Sequence, residues 1–156
     1  MTVNETQEII AEEFSAFNDW MEKYNLLIDM GKDLPAVDPR FKTKDFLIEG
    51  CQSKVWLHPE FTDGKIIFSA DSDALITKGI VALLIRVWSG RTPDEIISSE
   101  LWFIDRIGLR QNLSPTRSNG LLSMVRQMKL YAMAFKATGD RRPATGNSIS
   151  SPPGRG

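Results

Sequence analysis

Cysteine and histidine are almost missing from this chain: one of each stands among 156 residues. A single cysteine closes no intrachain disulfide, which excludes a disulfide-stapled secreted fold. One Cys and one His also fall short of the four ligands of a structural zinc site, and of the three protein ligands common at a catalytic one unless carboxylates fill in. Charge of one sign is lacking too. The 19 basic and 20 acidic side chains leave a formal net charge of -1, whereas a nucleic-acid binder is expected to carry a strongly basic face. Long apolar runs are absent: the longest, Ile80 to Ile85, spans six residues, against about 20 for a membrane-spanning helix. The start, Met1-Thr2-Val3-Asn4-Glu5 followed by Glu8, Glu12 and Glu13, matches neither the basic-then-apolar order of a secretory signal nor the acid-poor composition of a transit peptide. The expectation is a cytoplasmic protein with a free thiol, no metal site, no nucleic-acid partner and no membrane partner.

What is there suits one ordinary globular domain, with 42% apolar and 25% charged residues. The first 33 residues hold eight acids and two bases. Apolar residues recur at helical spacing through Ile9, Ile10, Phe14 and Phe17, then Met21, Tyr24, Leu27 and Ile28. Asn18 is placed to cap a second helix, and Gly31 with Pro35 to end it. The acidic excess reads as the solvated face of two amphipathic helices. Val55 to His58 and Lys65 to Ser69 are rich in strand formers, with the turn signal Thr62-Asp63-Gly64 between them. Phe46-Leu47-Ile48 offers a third, edge strand, and His58-Pro59 reads as a strand end. Residues 74 to 88 predict a strongly apolar central helix ended by Gly90. Thr92-Pro93-Asp94-Glu95 is a capping box with proline at the first helical position. Leu101 to Ile107 predicts a short helix, and Ser114-Pro115 opens a last long one running to about Phe135. Trp56, Trp88 and Trp102 are expected in the core. Residues 138 to 156 hold three Pro, four Gly and three Arg with one apolar β-branched residue, Ile149, too little apolar area to offset ordering. The predicted division is a domain over 1–137 and a disordered tail over 138–156. Helices, a small antiparallel sheet and more helices imply an α+β fold with helices packed on one face of the sheet.

The lone Cys51 lies between Gly50 and Gln52, with Ser53 and Lys54 following. Gly50 permits backbone angles that other residues resist, so Cys51 is expected at a turn leading into a strand. A free Cys is often a small buried hydrophobe, but this polar context favours a thiol that does chemistry, with Lys54 available to favour the thiolate. A Cys–His hydrolase needs an imidazole beside the sulfur. His58 is seven residues on and, along a strand, more than about 20 Å away on the opposite face. A two-cysteine redox cycle lacks its resolving partner, and an iron–sulfur scaffold normally needs several thiolates. What survives is exchange chemistry, in which one thiolate accepts a group and hands it on.

Glu49-Gly50-Cys51-Gln52-Ser53-Lys54-Val55-Trp56 resembles the cysteine motif of the SufE family. Three further blocks are similar in order and spacing: Trp20, Tyr24 and Gly31-Lys32-Asp33-Leu34-Pro35; Asp71-Ser72-Asp73-Ala74 with Lys78-Gly79; and Leu109 with Leu113 to Leu121, which contains Arg117. The resemblance covers about residues 14 to 135. It implies a SufE/IscU-like fold and a role as sulfur acceptor. In that role a pyridoxal-phosphate-dependent cysteine desulfurase of the SufS type passes persulfide sulfur to Cys51 and is stimulated in doing so. The sulfur then goes to a SufB-containing iron–sulfur scaffold. The pyridoxal phosphate belongs to the partner, so no cofactor of this chain's own is expected. Gly50, Gln52, Ser53 and Lys54 are implied as loop-shaping or docking residues, and Arg117 as positioning the cysteine loop or the partner. Asp71 and Asp73 read as turn and helix-cap residues, with control of loop position as the functional alternative. Apart from the resemblance, Arg117 reads either as a solvated helix residue or as a salt-bridge partner of Asp71 or Asp73. Two rival functions stand beside this one: a desulfurase-binding activator that carries no sulfur, and a one-cysteine peroxidase or redox sensor.

Overall fold

The order of elements follows the hydrophobic periodicity closely. A computed structural model of the chain describes residues 1–138. It holds α1 (Val3–Ser15), α2 (Trp20–Lys32), β1 (Val55–Thr62), β2 (Lys65–Ser72), α3 (Leu75–Trp88), α4 (Pro93–Ser98), α5 (Phe103–Arg106) and α6 (Pro115–Thr138). Short 3-10 turns lie at Pro39–Phe41, Lys44–Phe46 and Arg110–Asn112. The α+β expectation is met: two antiparallel strands form the sheet and the helices pack against it. The tail expected over 138–156 lies outside the described residues except for Thr138, the last residue of α6. Among the described residues, no helix is long and apolar enough to cross a membrane.

α3 is the central element. Thr77, Gly79 to Ile85, Val87 and Trp88 are all buried, and α1, α2, α6 and β2 all pack on it. Leu57, Ile66 and Phe68 of the sheet and Leu121, Met124 and Met128 of α6 close the same core. Asp63 and Gly64 make the hairpin turn with φ of 53° and 77°, the pair of left-handed residues that a two-residue hairpin loop demands.

The β2 edge of this narrow ribbon is covered along its length and the β1 edge at its start, which limits templates for stray pairing. On the β2 edge, Ile66 N–H donates to Arg91 O (2.9 Å), Phe68 N–H to Ser89 Oγ (2.9 Å) and Ala70 N–H to Pro35 O (3.4 Å). On the β1 edge, Ile48 N–H donates to Val55 O at 2.9 Å, and Leu47 bridges to Trp56. The expected third strand is therefore a single bridge, because Phe46 is taken up by a 3-10 turn. Pro59 sits opposite Phe68, whose amide is turned outward to Ser89. The proline's missing N–H thus falls on the outer edge, where it leaves no ladder bond broken. His58 and Pro59 are accordingly inside an eight-residue strand, not at its end.

Two predicted boundaries shift. Asp19, not Asn18, caps α2, its carboxylate accepting from Glu22 N–H at 2.9 Å. Gly31 lies within α2 instead of ending it. It is buried against α3, where its added Cβ would stand 3.0 Å from Gly79 N. The capping box at Thr92 and Glu95 forms as expected. Trp88 is fully buried, donating to Ser99 Oγ at 2.8 Å. Trp56 and Trp102 are only partly buried, under Lys42 and Arg106 respectively.

Candidate functional site

Cys51 occupies a loop between the 3-10 turn at Lys44–Phe46 and β1. The neck of this loop is tied twice. Ile48 N–H bonds Val55 O, and Lys54 and Asp73 exchange two bonds: Lys54 N–H donates to Asp73 Oδ1 (3.1 Å) and Asp73 N–H to Lys54 O (3.3 Å). The loop between folds onto α6. Gly50 has φ of 93°, in the left-handed region, and any Cβ there would collide with Ser123 Oγ. The backbone angle calls for glycine, and a side chain there would also force the Ser123 hydroxyl to turn away.

Cys51 itself is half-buried, and its Sγ–H donates to the carbonyl of Gly120 at 3.6 Å. A Cβ on Gly120 would stand 3.4 Å from that sulfur. The thiol lines a narrow cleft of about 20 Å³ with Gln52, Ser53, Thr77, Ile80, Thr116, Arg117, Gly120 and Met124. That volume holds about one water molecule. Burial pushes the Cys51 thiol above its ordinary value, because a thiolate loses solvation there. At rest it is a sheltered, neutral thiol.

The aspartates serve purposes other than capping. Asp71 is in β2, opposite Trp56. Its carboxylate accepts from Lys42 Nζ (2.8 Å) and the Ser72 amide (2.8 Å) and pairs with Lys78 Nζ (3.3 Å). Burial pushes the Asp71 carboxyl up, but the bonds from Lys42, the Ser72 amide and Lys78 outweigh it and hold it below its usual range. The cap position of α3 belongs to Ala74, whose amide is served by Ser72 Oγ at 3.2 Å. Asp73 commits its carboxylate to the loop neck.

These bonds gather the expected site residues unequally. Cys51, Gln52, Ser53 and Arg117 meet at the cleft, and Gly50 shapes the loop beside it. Lys54 contributes its backbone to the neck and does not line the cleft. Arg117 is exposed and makes no ion pair among the described residues, so of its two readings the solvated helix residue holds and the salt bridge does not; Lys42 and Lys78 pair with Asp71, and the Lys54 amide with Asp73. His58 stacks on Phe41, with ring centroids 3.7 Å apart, and takes no part in the cleft. Among the described residues, no group of three or more His, Cys, Asp or Glu side chains could hold a metal ion.

A family model described as SufE, an iron–sulfur metabolism associated domain, matches residues 8–132. The chain belongs to the SufE family. It is similar to SufE-like protein 1, chloroplastic/mitochondrial, of Arabidopsis thaliana, 38% identical over 146 residues, which are 93% of this chain and 39% of that one. The chain thus spans well under half the length of that relative. An uncharacterised SufE-like protein of Synechocystis is 36% identical over 127 residues, covering 81% of this chain and 80% of its own. Another, from Rhizobium meliloti, is 35% identical over 128 residues, covering 79% and 91%. The solution structure of a hypothetical protein from Thermus thermophilus superposes with a TM-score of 0.68 at 18% identity, covering 82% of this chain and 93% of that one, and so shares the fold. Membership of the SufE family places the chain in iron–sulfur metabolism.

In this SufE chain, the residues that the sequence left without a role are Gly120, Ser123, Thr77, Ile80 and Met124. One signal was present. A glycine inside a helix costs about 1 kcal/mol relative to alanine, so Gly120, five residues past the start of α6, marks a close approach. What approaches it is the Cys51 sulfur.

Proposed function

We propose that this protein is a sulfur acceptor and carrier. Cys51 takes persulfide sulfur from a SufS-like, pyridoxal-phosphate-dependent cysteine desulfurase, stimulates that enzyme, and passes the sulfur to a SufB-containing iron–sulfur scaffold in the cytoplasm. The observation that carries the reading is one half-buried thiol, held by a glycine-shaped loop against Gly120 with no imidazole to activate it. Such a thiol needs a partner to supply the activated sulfur. In the transfer, the Cys51 thiolate attacks the outer sulfur of the partner's persulfide. The partner's S–S bond breaks, its thiolate leaves with the bonding pair, and a new S–S bond forms on Cys51. The Cys51 proton ends on the departing thiolate, so nothing is oxidised overall. Gly50 lets the loop swing out, and Gln52, Ser53, Lys54 and Arg117 meet the partner. Asp73 holds the loop's base, and Asp71 fixes the sheet beside it by tying Lys42 and Lys78 together.

The raised pKa of Cys51 favours this role over a one-cysteine peroxidase, which relies on a low-pKa thiol. Incubation with a cysteine desulfurase and L-cysteine should add the mass of one sulfur atom, removable by reductant and absent in Cys51→Ser. No adduct on the wild-type protein refutes carriage. Stimulation of the desulfurase that survives intact in Cys51→Ser would point instead to an activator that carries no sulfur.

A further inference from the structure

Thr77 is the one buried polar residue on the wall of the Cys51 cleft. Only 6% of it is exposed, and it lines the cleft together with Ile80, one turn further along α3. Among the described residues its hydroxyl has no hydrogen-bond partner, not even the carbonyl one turn back that threonines in helices often use. The other two buried polar residues are satisfied. Gln7 donates to Glu100 O (3.0 Å) and accepts from Phe103 N–H (3.1 Å), and Thr6 donates to Thr2 O (3.0 Å). A buried hydroxyl left unpaired costs free energy and calls for a reason.

The cleft supplies one. In the thiol state Cys51 gives its single proton to a bond with Gly120 O. A persulfide has no proton on Sγ, so that bond is lost, and the side chain grows by an S–S bond of about 2 Å. The space beside Sγ, about 20 Å³, takes one atom-sized guest. We propose that Thr77 is a positioning residue for the Cys51 persulfide, its hydroxyl donating a hydrogen bond to the outer sulfur housed in this cleft. The assignment rests on the sulfur-acceptor reading above. Ile80 and Met124 supply the apolar part of the wall, Gln52, Ser53, Thr116 and Arg117 line it as less buried polar groups, and Thr77 supplies a directional contact from the buried side. A hydrogen bond to the anion makes the persulfide more acidic and holds its outer sulfur inward until the loop leaves α6.

The test compares wild type, Thr77→Val and Thr77→Ser. Each is loaded without a partner by sodium disulfide: Cys51 attacks one sulfur of the hydrodisulfide ion, the S–S bond breaks, hydrosulfide leaves with the thiol's proton, and the persulfide retains its own. The rate at which iodoacetamide caps the outer sulfur is then followed by intact mass against pH. Loss of a hydrogen bond to a charged group should move the midpoint for Thr77→Val up by about one pH unit, a tenfold drop in anion fraction below it. Thr77→Ser should keep the wild-type midpoint, and capping of the unloaded thiol should be the same in all three. Thr77→Val should also melt no lower than wild type, since it loses only an unpaired hydroxyl. Coincident midpoints for wild type and Thr77→Val overturn the assignment, as does a clear fall in melting temperature, which would reveal a structural partner. If wild type loads from disulfide but takes nothing from a desulfurase with L-cysteine, the acceptor reading fails, and the midpoints still decide whether Thr77 binds the outer sulfur.

Discussion

Cys51 and Gly120 form a contact pair: the thiol donates to the glycine's carbonyl at 3.6 Å, and the sulfur lies against the face where a side chain would start. Alanine at 120 would gain helix propensity of about 1 kcal/mol, and its Cβ would rest at 3.4 Å from the sulfur, an ordinary contact. Gly120→Ala should therefore melt no lower than wild type and alkylate at Cys51 no faster. A fall in melting temperature or a faster alkylation would show that the sulfur's seat has no room for a methyl group. In the wild type, burial raises the thiol's pKa, so the midpoint of alkylation against pH should lie above that of an ordinary cysteine. The sequence carried half of this pair openly. Cys51 stood out by its polar neighbours and Gly50 by its angle, but the carbonyl that receives the thiol is 69 residues away. No local pattern announces a contact of that separation.

At the scale of elements, capping and turn chemistry were legible because they are local: the box at Thr92 and the Asp63-Gly64 turn need only neighbours within three residues. Gly31 was misread for the opposite reason. Its glycine answers to another helix, and α2 and α3 touch where Gly31 meets Gly79. A Cβ on Gly79 would overlap the Leu27 carbonyl, a backbone atom that cannot rotate away. Gly79→Ala should cost roughly 3 kcal/mol or more, at the upper end for overpacked cores, measured as a fall in the urea midpoint at constant slope. The outer face of β1 carries a second inter-element contact. His58 lies under Phe41 and against Phe46, at 3.7 and 4.9 Å. Burial lowers its pKa from 6.5, and Arg40 adds to the effect while Glu60 and Asp38 oppose it. A depressed folded-state pKa gives stability that is complete above the unfolded value and is lost as pH falls through the folded one. Melting temperature should therefore decline as pH drops from about 7 to 5, and His58→Phe should remove that part of the decline. An unchanged pH dependence in the variant would exclude His58 as its source.

Across the whole molecule, Asp71 is where three parts meet: the segment carrying Lys42, the sheet, and Lys78 of α3. Its carboxyl pKa is held below 3.8, so its contribution is present above that value and disappears as acid protonates it in the folded state. Asp71→Asn should lower stability at neutral pH by roughly 1 to 2 kcal/mol. It should also flatten the acid limb below about pH 4; a variant with wild-type stability at both ends would mean the cross-link is idle. Charge composition alone showed a near-neutral chain and concealed this arrangement, because the sequence does not say which lysine reaches which carboxylate. The loop neck has one more consequence, a matter of length. Ile48 and Lys54 are both fastened, and Cys51 stands three residues from each. Fully extended, three residues span about 10 Å. The thiol can therefore sweep an arc of about that radius while every strand and helix stays in place. On the sulfur-acceptor function proposed above, a donor whose persulfide lay deeper than that below its own surface would have to admit the β-ribbon's end as well as the loop.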